Sequence, residues 1–94
     1  MNITFNGKPI LPTKTALNEL SEINLDLYKA TKILENGFVI RKRKKNIIEK
    51  AVRRGNKVVN VVVVDVGEYY KLIHAGEFTL SNKFKKLMRY KNGI

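Results

Sequence analysis

The spacing of apolar residues along the chain predicts two helices between residues 13 and 37. Apolar positions there recur every three or four residues, which is typical of amphipathic helices. They are Leu17, Leu20 and Ile23, followed by Leu27, Ala30, Ile33 and Leu34. Thr13 or Thr15 is a suitable N-cap for the first helix, and Asn24 for the second. Gly37 is expected to end the second helix.

After residue 37 the pattern changes to one typical of strands. "FVIRKR" begins with residues that favour strands, and residues 58–66 carry six valines between 58 and 64. A strand that is apolar on both faces is expected to be central in its sheet, with both faces covered. "YYKLIHA" predicts a closing strand. Simple alternation places Tyr70, Leu72 and His74 on one face and Ile73 and Ala75 on the other.

Residues 46–54 fit two structures. A helix would begin at Asn46, with Glu49 at the capping-box position and Gly55 as its stop. A strand would pair with residues 57–65 through the short turn "RGN". We favour the hairpin, because the valine-rich strand needs a partner on each edge.

These elements predict one α+β domain in which two N-terminal helices pack on one face of an antiparallel sheet of about three or four strands. Residues 1–12 are expected to form an extended arm, 13–37 the helix pair and 38–78 the β-meander. Residues 79–94 are expected to form a short basic C-terminal helix or tail, capped by Ser81 or Asn82.

Composition narrows the class of protein. The chain has 94 residues, of which 44% are hydrophobic, so a folded domain is expected. It has no cysteine and one histidine. These counts argue against disulfides and the usual zinc sites, and we expect no metal or cofactor. We see neither a secretory signal nor an apolar run of membrane-spanning length, so a soluble cytoplasmic protein without a membrane partner is expected.

The positive charge is unevenly distributed. Nineteen basic and eight acidic residues give a net charge of +11. Residues 1–37 hold four lysines and four acids, so the whole excess lies in residues 38–94. This asymmetry points to a polyanionic partner, which could be nucleic acid, the ribosome or an anionic membrane surface, and nucleic acid is favoured; a solvated basic surface is the alternative. The candidate contacts are Arg41, Arg43, Lys45, Arg53, Arg54, Lys57, Lys85, Lys86 and Arg89. One face of the hairpin would present Arg41, Arg43 and Arg53 together.

Three stretches resemble the RelE-like toxin superfamily, most closely its BrnT-like branch, over about residues 13–78. They are "TKTALNELSEINLDLYKATKILENG", "GNKVVNVVVVDV" and "YYKLIHAGEF". The resemblance implies a metal-independent endoribonuclease or ribosome-acting protein that is held by an acidic antitoxin-type partner, and it favours RNA over DNA as the nucleic acid that is bound. The chain departs from this pattern at Thr15, where relatives often have His, and at Glu19, where they often have Arg.

His74, Glu49 and Arg53 are the candidate catalytic residues. Imidazole exchanges protons near neutral pH, a carboxylate can act as a base, and a guanidinium can clamp a phosphate. Each also has a structural interpretation. His74 would pack beside Leu72 and Tyr70, Glu49 would pair with Lys45 or Arg53, and Arg53 would lie at a charged hairpin tip. A non-catalytic nucleic-acid-binding module, a subunit of a larger assembly and a homodimer therefore stay open.

Overall fold

The computed structural model describes residues 3–40 and 43–79. Their elements, in chain order, are β1 (Thr4–Phe5), β2 (Lys8–Pro12), α1 (Lys14–Glu22), α2 (Leu27–Asn36), β3 (Phe38–Val39), β4 (Ile47–Arg54), β5 (Lys57–Asp65) and β6 (Tyr70–Thr79). The six strands form one sheet in the order β1-β2-β6-β5-β4-β3, curled into a half-barrel. The sheet is mixed, because β2 runs parallel to β6 while the other neighbours are antiparallel.

The predicted antiparallel sheet of three or four strands is therefore wrong. The predicted extended arm forms a small hairpin whose turn, Asn6–Gly7, has φ angles of 51° and 78°. Its second strand then joins the sheet, from Ile10 opposite Tyr70 to Pro12 opposite Leu72. The sequence analysis predicted extended backbone for this segment but not its parallel pairing with β6. The local sequence of a strand does not indicate which strand it will pair with. The predicted C-terminal helix lies outside the described residues.

The helices begin where side chains satisfy their first backbone N–H groups. Thr13 caps α1, since its hydroxyl accepts a hydrogen bond from the Ala16 N–H at 3.0 Å. Asp26 caps α2 by accepting from the Lys29 N–H at 2.8 Å. The prediction of Asn24 as this cap is wrong. Asn24 instead has a φ of 58° in the turn after α1, a conformation that asparagine tolerates better than most residues.

β4 and β5 form the hairpin that the sequence analysis favoured. Their antiparallel register runs from Ile47 opposite Val64 to Arg54 opposite Lys57, and Gly55 in the turn has a φ of 62°. The main core lies on what we call the helix face of the sheet. There the side chains of Val59, Val61 and Val63 pack with residues of both helices. The other side, here called the second face, carries a smaller cluster formed by Ala51, Val58, Phe38 and Ile40.

A β-bulge in β6 decides where the histidine points. Val62 is opposite His74, but the next residue of β5, Val63, is opposite Leu72. Ile73 is therefore an extra residue, and it shifts the alternation of side chains by one position. Leu72 and Ala75 both belong to the main core, whereas His74 is exposed. The prediction that His74 shares a face with Tyr70 and Leu72 is wrong for this reason.

Candidate nucleic-acid interface

A basic cleft lies where the chain enters β4. It is an open depression of about 230 Å³, and its lining includes Arg43, Lys44, Lys45, Val39, Ile47, Ile48 and Glu49. Two backbone hydrogen bonds hold this loop: the Ile47 N–H donates to the Lys44 carbonyl at 2.9 Å, and the Asp65 N–H donates to the Asn46 carbonyl at 2.7 Å. These bonds hold the backbone that carries Arg43, Lys44 and Lys45 beside one end of the β4–β5 hairpin.

The acid in this cleft, Glu49, is buried with partners. Its side chain is 1% exposed and accepts hydrogen bonds from the Asn60 amide at 2.9 Å and from the Arg43 guanidinium at 3.3 Å. A buried carboxylate needs such donors, since burying a charge without them is costly. The ion pair was expected with Lys45 or Arg53, and the structure places Arg43 there instead. These contacts give Glu49 a structural role in the cleft, whether or not it also acts as a catalytic base.

The other cations predicted on the hairpin lie at its far end. The Arg53 Nε donates to the Gly55 carbonyl at 3.0 Å. Arg54 pairs with Glu77 and also donates to the Ile23 carbonyl at 3.3 Å, and Lys57 lies 3.4 Å from Glu77. The hydrogen bond from Arg54 lowers the pKa of Glu77 below its ordinary value. One carboxylate thus offsets charge from two of these three cations.

The three candidate catalytic residues do not form one group. Glu49 and His74 lie in the same cross-strand row, because both are opposite Val62. Arg53 is opposite Val58, four residues further along β4. That separation is about 13 Å along the strand. The structure thus brings two of the three candidates to one part of the second face and leaves Arg53 at the turn.

The expected row of arginines on one face does not continue along the hairpin either. The apolar cluster built on Ala51 and Val58 lies on the second face of the hairpin. Ala51 lies between Arg53 and Glu49, the residue that holds Arg43, and Val58 is opposite Arg53. Arg41, Lys85, Lys86 and Arg89 lie outside the described residues.

His74 has a partner that the sequence analysis missed. Its Nδ1 lies 3.1 Å from Oε2 of Glu19 in α1. The other carboxylate oxygen, Oε1, accepts from the Ala75 backbone N–H at 3.3 Å. Among the described residues, β2 pairs with β6 only as far as Leu72, so this N–H lies on an edge that β2 does not reach. Glu19 therefore accepts a hydrogen bond from a backbone N–H on this edge and also positions the imidazole of His74. The His74 side chain remains 46% exposed.

The second nitrogen of His74 faces a glycine. A Cβ atom added to Gly76 would lie 3.0 Å from His74 Nε2 and 3.1 Å from Asn60 Oδ1. Both polar atoms therefore pack closely against Gly76, and a side chain at this position would crowd them. Asn60 in turn donates its amide hydrogen to Glu49, which links the histidine to the cleft residues through one strand.

Three residues of this region were not selected from the sequence: Glu19, Asn60 and Lys71. Lys71 is exposed and opposite Val64, two rows from the His74 row, and makes no ion pair within residues 3–40 and 43–79. Glu19 had been noted only as a departure from the RelE-like pattern. Asn60 gave a usable signal, since a polar residue inside a buried valine run requires a buried partner.

Comparison with protein-family models, with curated proteins and with solved structures finds no match for this chain. Neither α1 nor α2, the helices of the described part, has the length and apolar character needed to cross a membrane. In residues 3–40 and 43–79, no three His, Cys, Asp or Glu side chains come together in a way that would hold a metal ion.

Proposed function

We propose that this protein binds RNA and that the basic cleft contacts the phosphate backbone. The observation that supports the proposal most directly is the cleft's composition. Arg43, Lys44 and Lys45 line it in succession, while Glu49 is buried beneath with Asn60 and Arg43 as partners. Backbone phosphates are recognised mainly by such clusters of lysine and arginine.

The lysines of the cleft are available for a ligand. Lys44 and Lys45 are exposed and make no ion pair with any acid of the described ranges. Lys71, which is exposed on β6, also makes no ion pair with an acid of these ranges. By contrast, Arg54 and Lys57 are already paired with Glu77. Among the described residues, the cleft therefore has two cations without an ion pair and the hairpin tip has one, Arg53, although each group of three cations and one acid carries a net charge of +2.

RNA is chosen over other polyanions because of the resemblance to RelE-like toxins. That resemblance further suggests an endoribonuclease or ribosome-acting protein in the cytoplasm, with an acidic antitoxin-type protein as its natural partner. A non-catalytic RNA-binding module and a subunit of a larger assembly are the competing functions. These functions predict different behaviour of the purified protein. An RNA-binding module would bind RNA, whereas a subunit of a larger assembly would not.

Binding to a labelled mixed-sequence single-stranded RNA, followed by fluorescence anisotropy at low salt, tests this proposal. A K44A/K45A variant removes two cleft charges, and a K14A/K29A variant removes two exposed charges from the helices. We expect the cleft variant to weaken binding at least tenfold and the helix variant to change it less than threefold. Equal loss in both variants, or no binding of the native protein, would overturn the assignment. A DNA oligonucleotide of the same sequence tests the preference for RNA.

A further inference from the structure

We propose that Glu49 is a positioning residue of the basic cleft, and that it strengthens RNA binding by holding Arg43 in the orientation that contacts a phosphate. This inference rests on the proposed function, because it concerns the same cleft. An acid beside three cations should, by its charge alone, repel a polyanion. Removing the negative charge of Glu49 is nevertheless expected to weaken RNA binding.

The two oxygens of the Glu49 carboxylate have different partners. Oε2 accepts a hydrogen bond from the Asn60 side-chain amide at 2.9 Å, and Oε1 accepts one from Nη1 of Arg43 at 3.3 Å. Asn60 is 6% exposed and lies on β5, an inner strand of the sheet. The carboxylate is thus held from inside the sheet through one oxygen, and its other oxygen holds the loop that precedes β4.

The burial of Glu49 makes its ion pair with Arg43 a firm one. The Glu49 side chain is 1% exposed, whereas that of Arg43 is 35% exposed. Solvent and salt screen a buried charge less than an exposed one. If Arg43 moved away, a buried carboxylate would lose a donor, which is costly. The guanidinium is therefore kept beside the cleft in a restricted set of rotamers.

The Arg43 guanidinium can contact Glu49 and a phosphate at the same time. It is planar and carries five N–H donors, and the hydrogen bond to Glu49 comes from Nη1. Arginine binds carboxylates and phosphates through this fixed fork of donors, which the single ammonium of a lysine lacks. One part of the guanidinium is thus anchored to the protein, while its other N–H groups are available to a ligand in the cleft.

The same ion pair helps to order the two lysines that follow Arg43. Backbone hydrogen bonds at Lys44 and Asn46 hold the part of the loop nearest β4. Within the part of the chain that the structure describes, the Arg43 side chain ties the preceding residue to the sheet. Ordering these groups before RNA arrives reduces the conformational entropy that is lost on binding. Glu49 therefore contributes to affinity without touching RNA.

A double-variant cycle of RNA affinities tests this inference. Anisotropy with the labelled single-stranded RNA is measured for the native protein, E49Q, R43A and R43A/E49Q, each checked by circular dichroism to be folded. E49Q should weaken binding about three- to tenfold, because a glutamine amide offers one oxygen to two donors. In the R43A background, E49Q should weaken binding no further, since the residue that Glu49 positions is already absent. The matched control E22Q removes an exposed acid of α1 and should not weaken binding.

Each alternative role of Glu49 gives a different result. Tighter or unchanged binding by E49Q, which an effect of charge alone predicts, would overturn the inference. Equal weakening in both backgrounds, which a general effect on the fold predicts, would also overturn it.

The variant R43K tests the inference even if a variant of the cycle does not fold. It keeps the net charge of the cleft and a donor for Glu49, but it lacks the fork of donors. R43K should weaken RNA binding about threefold, and native affinity of R43K would overturn the inference. A native protein that binds no RNA would instead overturn the proposed function.

Discussion

The Glu19 carboxylate and the His74 imidazole meet at 3.1 Å although 55 residues separate them in the chain. The contact joins α1 to the edge of β6 just beyond the end of its pairing with β2. It depends on the β-bulge, because without the extra residue His74 would point to the helix face among core side chains. One irregularity in one strand therefore converts a potential core histidine into an exposed and oriented one.

Replacing Gly37 by alanine should destabilise the fold. A Cβ there would lie 2.5 Å from the Ile33 carbonyl oxygen and 2.6 Å from that of Ala51, and both are backbone atoms. α2 would have to move away from β4. We expect the free energy of unfolding in urea to fall by about 1–3 kcal/mol, as for other overpacked sites. N36A, at an exposed neighbouring position, should change it by no more than about 0.5 kcal/mol. Equal effects of the two substitutions would contradict the close approach.

Asn60 should stabilise the protein through Glu49. Truncation to alanine removes the amide that donates to the buried carboxylate at 2.9 Å. The loss should be about 2–3 kcal/mol in the free energy of unfolding, because a buried charged acceptor loses a donor. N18A on the exposed face of α1 is the control and should have little effect. If N60A were as stable as the control, the bond to Glu49 would contribute nothing to stability.

Stability should fall in acid through two surface carboxylates. The hydrogen bond from Lys8, helped by the Gly67 N–H, lowers the pKa of Asp65, and the hydrogen bond from Arg54 lowers the pKa of Glu77. Since both pKa values are lower in the folded protein than in the unfolded chain, their contribution is present above the unfolded values. It is lost as the pH falls through the folded ones. Thermal unfolding followed from pH 6 to pH 2 should show this loss.

The variant K8A provides the matching comparison. It removes the ammonium that lies 2.7 Å from Asp65 and over the Tyr70 ring. Its difference in melting temperature from the native protein should shrink as the pH falls, because the carboxylate it supports is then protonated in both proteins. A difference that stays constant down to pH 2 would mean that the aromatic contact, rather than the ion pair, accounts for the effect of Lys8.

The cap of α2 gives a direct check on the helix boundary. D26A removes the carboxylate that accepts from the Lys29 N–H and should cost about 1 kcal/mol of unfolding free energy. N24G should cost less, since glycine adopts the positive φ of Asn24 without strain. The reverse order would indicate that Asn24, as the sequence suggested, is the capping residue.

The sequence was informative where local pattern and burial agree. Valines on both faces of β5 required a strand on each side, and the β4–β5 hairpin favoured for this reason over a helix is confirmed. Thr13 as a helix cap was also among the sequence alternatives. In these cases the information lies within a few residues or in a single strand.

The missed features depend on contacts between distant segments. Nothing in residues 1–12 indicates that β2 pairs in parallel with β6, and nothing in "YYKLIHA" marks Ile73 as the extra residue of a bulge. Because side chains alternate, that single residue reverses the face of His74. Glu19 could not be recognised as the partner of His74 without knowing both the pairing of β2 with β6 and the bulge at Ile73. The candidate site was therefore predicted as separate residues, and its geometry was not.

The salt dependence of RNA affinity is the most direct test of phosphate binding at the basic cleft. Each phosphate contact lowers the logarithm of the association constant by about 0.7 per tenfold increase in salt for a single-stranded ligand. We expect a steep slope for the native protein, and a slope shallower by about 1.4 for K44A/K45A, which loses two contacts. K14A/K29A should keep the native slope. A native protein whose affinity for RNA is independent of salt, or a cleft variant with the native slope, would contradict phosphate binding at the cleft.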